Sequence, residues 1–302
     1  MNFVEEAKKI PLIISIEPLS LTKEIKEKLG EHYARVAENN VRHINAYRIL
    51  YRSQGHMVVG FVVEPKKGAH LPGIIYNRGG SGDFGIIRIG HLFVFFPATL
   101  ARNGYVVITT QYSGNDGSEG IDEMGGSDIM DVLNLYKILQ KYSRVDSKKI
   151  GMYGLSRGGT MAYLALAKVK WLKAVVTVGG AADYISAEKF RPEMKKHFKK
   201  MFGGSIEEKK KRSAIYWVHA FNKKTPVLLM HGLADWRVNP LDSIELAKRM
   251  YKEKLPYRLV LFEGNDHIVS ESTAEAERLT LDWFERFVKN NEELPNTKPH
   301  GK

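Results

Sequence analysis

Lys149-Ile150-Gly151-Met152-Tyr153-Gly154-Leu155-Ser156-Arg157-Gly158-Gly159 holds a short apolar run, a glycine-flanked serine and the start of a helical pattern. Residues 150–153 predict a buried strand and residues 157–167 a helix. The turn joining them at Ser156 must be so tight that positions two before and two after the serine lack bulk, which Gly154 and Gly158 provide. Gly159 leaves room for close helix packing. G-x-S-x-G arises by chance in glycine-rich chains, and what sets this one apart is its strand-turn-helix context. In that context Ser156 projects from the top of a sheet as a nucleophile, with the backbone N–H of Arg157 facing a developing oxyanion.

Working outward, strands and helices alternate. Residues 73–76, 106–110, 150–153, 174–178, 227–230 and 258–262 are β-rich and nearly all apolar, and helical periods occupy 91–102, 127–140, 157–167, 240–251 and 272–289. This alternation predicts an α/β fold with a mostly parallel, doubly wound sheet. Residues 46–51 and 57–63 predict an antiparallel N-terminal pair joined at Ser53-Gln54-Gly55. Residues 1–42 are expected to form a helical extension, with a helix over 21–37, and 43–290 a catalytic domain. Within that domain, residues 181–225 are too long for a structureless loop and predict a helical cap insert. Residues 291–302 read as a fraying tail.

A hydroxyl needs a base within reach, itself oriented by a carboxylate, so an elbow at Ser156 calls for an acid and then a histidine after later strands. Residues 227–230 lead into His231-Gly232-Leu233-Ala234-Asp235, and 258–262 into Glu263-Gly264-Asn265-Asp266-His267. Asp235 and His267 are therefore the expected acid and base. Among the competitors, His231 precedes the acid loop and reads as a structural hydrogen-bonder, and His197 and His219 lie in the insert. Asp183 reads as a helix cap, and Asp266 is too near His267 along the chain to orient it. The second oxyanion donor is expected from the glycine loop Arg78-Gly79-Gly80, with Gly80 the choice. Phe84, Tyr112 and Trp236 follow strand ends and are expected to line the substrate pocket.

The 302 residues include no cysteine, which excludes disulfides, thiolate metal sites and a cysteine nucleophile. No stretch approaches a membrane span, and acidic Glu5 and Glu6 stand where a secretory leader would be basic. A soluble, cytoplasmic protein is the expectation. The formal charge of +12 invites a nucleic-acid reading. However, residues 187–224 hold twelve Lys or Arg against four Asp or Glu, a surplus of eight in one segment, and no nucleic-acid motif accompanies them. Those lysines read as a solvated face, with steering of anionic substrates as the alternative.

These blocks together resemble the catalytic domain of the prolyl oligopeptidase family within the α/β-hydrolase superfamily. Asn103-Gly104-Tyr105-Val106-Val107 with Tyr112-Ser113-Gly114 is similar to the family's strand and tyrosine turn. Residues 128–159, with Val145-Asp146 entering the strand, resemble its helix and elbow. Residues 226–240 resemble its H-G-x-x-D-x-x-V-P acid loop, with Asn239 before the proline, and 263–267 its histidine loop. Arg78-Gly79-Gly80-Ser81 stands where the family usually has H-G-G-P. The residues before Gly73 are too few for the β-propeller of the family's larger peptidases, and members without it resemble esterases. The resemblance therefore implies ester cleavage through Ser156, His267 and Asp235, with no metal or organic cofactor, on a small-molecule ester. The alternatives are an oligopeptidase acting on short peptides and a non-catalytic binding module. No nucleic-acid or membrane partner is expected, and no feature specifies an oligomeric state.

Overall fold

In a computed structural model, which describes residues 3–301, nine strands are found: β1 (Ile13–Leu19), β2 (Ile44–Ser53), β3 (His56–Pro65), β4 (Leu71–Asn77), β5 (Val106–Thr110), β6 (Val145–Leu155), β7 (Leu172–Val178), β8 (Val227–Gly232) and β9 (Tyr257–Phe262). Residues 1–2 of the expected extension and 302 of the expected tail lie outside the described residues. The chain divides into two compact units, residues 1–122 with 130–150, and residues 123–129 with 151–302.

In the first unit the strand order is β1-β2-β3-β5-β4-β6, and in the second β6-β7-β8-β9, with β6 running through the boundary. β1/β2, β2/β3 and β3/β5 are antiparallel; β4/β5, β7/β8 and β8/β9 are parallel. This is the mostly parallel sheet of an α/β-hydrolase. Every residue of β5 and β8 is buried, as strands covered on both faces require. The β2–β3 hairpin pairs Ser53 with His56, so Gln54 and Gly55 form its two-residue turn, both at positive φ as such a turn demands.

Three expectations need amendment. The extension is not helical throughout, because Ile13–Leu19 forms strand β1 on the edge of the sheet. Its burial pattern does not alternate and it carries Pro18, which an edge strand tolerates. The helix expected at 21–37 runs from Lys23 to Asn40 but is broken at Gly30 (φ 74°, ψ 165°). The helix expected at 91–102 is two, Ile89–Val94 and Phe96–Arg102, parted by extended backbone at Phe95, just ahead of Pro97, a residue suited to a helix's first turn but not its interior.

The insert folds as helices Tyr184–Phe190, Met194–Phe202 and Ile206–Arg212, followed by two short 3₁₀ turns. Its apolar residues bury around Tyr184, Phe198 and Met124, with Phe202 and Met201 packed against them. The ring centroids of Tyr184 and Phe198 lie 5.2 Å apart. Lys195, Lys196, Lys199 and Lys200 remain exposed on the other face of the Met194–Phe202 helix, so these four lysines form a solvated face over a local core, whereas Lys209 and Arg212 are buried and paired with Glu188 and Glu208.

Candidate active site

Ser156 follows β6 directly, and its backbone takes φ 55°, ψ −120°. For a residue with a Cβ this conformation costs about 1–3 kcal/mol and persists only where the surroundings impose it. Here the Ser156 N–H donates to the Val178 carbonyl at 2.8 Å, and the Ser156 carbonyl accepts from the Gly159 N–H at 2.8 Å. Gly154 makes the turn possible: a Cβ there would fall 2.3 Å from the Gly158 carbonyl oxygen. The elbow read from the sequence is thus present in backbone detail. The helix Arg157–Lys168 begins on the next residue.

Asp235 lies three residues past β8 and is 3 % exposed. Its Oδ1 accepts the N–H groups of Arg237 at 2.7 Å and Val238 at 3.0 Å. Its Oδ2 is 2.6 Å from Nδ1 of His267, itself buried in the loop after β9. The loops are tied together: the Leu233 N–H donates to the Phe262 carbonyl at 2.8 Å, and the Ala234 N–H to that of Asn265 at 2.9 Å. Burial would raise the Asp235 carboxyl, but hydrogen bonds from His231 and His267, the charge of His267 and the Val238 N–H outweigh it. The net effect holds Asp235 well below the usual carboxylate range, so it is ionised and accepts from the imidazole.

The competitors have other tasks. Asp266 accepts from the Ile268 N–H, the Ser270 N–H and the Ser270 hydroxyl, closing its own turn. Asp183 caps the helix Tyr184–Phe190 through the Ile185 N–H. His219 is exposed in the insert. His231 is the surprise, since its Nε2 lies 2.9 Å from the same Asp235 oxygen that meets His267. The sequence reading of His231 as a structural hydrogen-bonder fits this contact but did not name Asp235 as the partner, for which the spacing His231-x-x-x-Asp235 was the available signal.

Arg157 is the first residue of its helix, and its buried side chain donates to Asp128 Oδ2 at 2.7 Å. Trp236, beside the acid, is 58 % exposed, with the guanidiniums of Arg237 and Arg191 over its ring at 4.5 and 4.9 Å from the centroid.

The remaining expected site residues belong to the first unit. Gly80 has φ 75°, and a Cβ on it would lie 2.1 Å from the Phe84 carbonyl oxygen, so only glycine fits this loop. Phe84 is exposed. Tyr112 does not offer a surface to a ligand: it is fully buried, with its hydroxyl donating to the Arg78 carbonyl at 2.9 Å. Arg78 is also buried, its guanidinium 5.0 Å from the Tyr112 ring centroid and donating to the carbonyls of Gly79 at 2.9 Å and Gln111 at 2.7 Å. The pair holds the glycine loop from beneath, which corrects the reading of Tyr112 as a pocket residue. It also gives the arginine at position 78 a task of its own.

Among the described residues no group of three or more His, Cys, Asp or Glu is placed to hold a metal ion. No helix among them is long and apolar enough to cross a membrane.

Comparison with known proteins agrees with this fold. The pattern defining the prolyl oligopeptidase family matches residues 92–291. An uncharacterized peptidase, YtmA of Bacillus subtilis, is 31 % identical over 214 residues, covering 69 % of this chain and 80 % of that protein. Dipeptidyl-peptidase 5 of Porphyromonas endodontalis is 26 % identical over 72 % of this chain but only 33 % of its own length. Among solved structures, the Pyrococcus horikoshii acylaminoacyl peptidase superposes with a TM-score of 0.73 at 21 % identity, covering 89 % of this chain and 46 % of that one. An acylaminoacyl peptidase bound to Z-Gly-Gly-Phe-chloromethyl ketone gives 0.70 at 22 %, covering 84 % and 43 %. The chain thus spans most of the YtmA peptidase and less than half of the larger proteins it resembles.

Proposed function

The chain belongs to the prolyl oligopeptidase family, and from that premise we propose that it is a serine peptidase cleaving the amide bonds of short peptides or acylated amino acids. The ester cleavage first read from the sequence gives way to this alternative, because the relatives bear peptidase names. The observation that carries its serine-hydrolase chemistry is the pairing, within one unit, of a serine in strained elbow geometry with an Asp235–His267 hydrogen bond of 2.6 Å; the names of the relatives carry the choice of amide over ester.

In this mechanism His267 takes the Ser156 hydroxyl proton as the serine oxygen attacks the scissile carbonyl. Asp235 stays ionised and holds Nδ1–H of the imidazole, so Nε2 is the nitrogen that receives the proton. The Arg157 N–H accommodates the oxyanion, and the second donor is assigned from the sequence to Gly80. When the C–N bond breaks, His267 returns the proton to the leaving amine. Water, deprotonated by the same imidazole, then releases the acyl group and restores the serine.

The test compares aminoacyl and acyl-aminoacyl p-nitroanilides with matched p-nitrophenyl esters, using Ser156→Ala as control. Anilide turnover that disappears in the variant supports the reading. Ester turnover without any anilide turnover overturns it in favour of an esterase.

A further inference from the structure

His231, the penultimate residue of β8, has no exposed surface, and both its ring nitrogens are engaged. Nδ1 is 2.6 Å from the hydroxyl of buried Ser243, and Nε2 is 2.9 Å from Asp235 Oδ2 and 3.2 Å from the Val238 carbonyl. The chemistry of these partners fixes the protons. A carboxylate and a carbonyl only accept, so Nε2 must carry the hydrogen. In the neutral ring Nδ1 is then an acceptor, and Ser243, whose hydroxyl can rotate to suit, donates to it.

One carboxylate oxygen therefore receives two imidazole N–H groups, from His231 on the sheet and from His267 in its loop, while the other oxygen receives two backbone N–H groups. A carboxylate held only by the loop that carries it could swing with that loop. With a donor planted in buried β8, which is flanked by a strand on each side, its plane and the oxygen facing His267 are tied to the sheet.

We infer that His231 is a positioning residue, which, oriented by Ser243, locks Asp235 so that Oδ2 faces Nδ1 of His267. The inference rests on the reading of Asp235 and His267 as acid and base. His231 does not touch substrate; it acts through Asp235, and a small displacement of a catalytic group costs on the order of 10²-fold in rate.

Three variants test it, with kcat and KM measured on an aminoacyl anilide, fluorophosphonate labelling rate, and thermal midpoint. His231→Phe keeps the ring and removes the donor; kcat and labelling should fall on the order of 10²-fold with KM unchanged. His231→Gln keeps an N–H at the reach of Nε2 and should return kcat to within about tenfold of wild type. Ser243→Ala leaves Nε2–H facing Asp235 but removes the hydroxyl that holds the ring, so kcat should fall several-fold with KM unchanged; it decides the matter if the phenylalanine variant does not fold. Wild-type kcat in a folded His231→Phe protein overturns the inference, as does equal impairment of the phenylalanine and glutamine variants in step with lost stability. If His267→Ala and Asp235→Asn also keep wild-type rates, the underlying triad fails; if they are inactive, only the role of His231 does.

Discussion

Asp242 offers a test that no catalytic assay is needed to read. It sits in the first turn of the helix Pro240–Lys252, where the helix dipole favours a negative charge, yet it is 4 % exposed and its Oδ2 has no hydrogen-bond partner. Burial, reinforced by the nearby Asp183 carboxylate and opposed by the Ser186 hydroxyl and His231, pushes its carboxyl from 3.8 up to about 7. Between those pH values the folded protein holds a proton that the unfolded chain has lost, so this group's contribution to stability falls as pH rises. By pH 8 the accumulated cost is about 4 kcal/mol, at roughly 1.4 kcal/mol per pH unit. Asp242→Asn removes the charge and keeps the shape, while its buried amide costs about 1–3 kcal/mol in unmet hydrogen bonds. The variant should therefore be more stable than wild type by about 2 kcal/mol at pH 8 and less stable by a similar amount at pH 4. Urea denaturation of both proteins across that range measures the crossing. A stability difference that is the same at pH 4.5 and pH 8 refutes the reasoning.

Other perturbations follow from named contacts. Arg157→Ala removes the guanidinium from fully buried Asp128, which keeps the Gly125 N–H, and should lower unfolding stability by about 3 kcal/mol in urea titrations; a loss under 1 kcal/mol contradicts the pairing. Gly80→Ala forces a Cβ against the Phe84 backbone carbonyl at a positive φ, and should lower unfolding stability by about 1–3 kcal/mol in urea titrations; an unchanged midpoint contradicts the geometry of this loop. Ser156→Gly relieves the strained elbow and Ser156→Ala does not, so the glycine variant should unfold at the higher urea midpoint of the two, by about 1 kcal/mol.

The parts of the site that were legible in the sequence are those where local geometry restricts residue choice. A serine at φ 55° needs bulk-free neighbours, and Gly154 and Gly158 announce it. Asp235 follows buried β8 and His267 follows β9, an edge strand of which only Phe262 is buried, but both apolar runs are plain to read in the sequence, and chain order pointed to the two residues. The missed features depend on partners distant in sequence. β1 shows no alternation because none of its residues is buried, so no face imposes one. Nothing local reveals that Arg78 is buried against Tyr112, because the guanidinium's partners come from a turn more than thirty residues away. His231 could be read as a structural hydrogen-bonder but not as a partner of Asp235, because that contact exists only once the acid loop folds back onto β8. The choice between ester and amide substrates was likewise not written in the triad, which serves both, and it was the relatives that moved it.

The central claim is that Ser156 is a nucleophile activated by His267 and Asp235. Its most direct test is mass-spectrometric mapping of a fluorophosphonate adduct on the native protein, repeated with His267→Ala. The account predicts a single adduct on Ser156, formed at a rate that drops on the order of 10⁴-fold or more when the imidazole is removed. An unlabelled Ser156, an adduct on another residue, or labelling indifferent to His267 would contradict it.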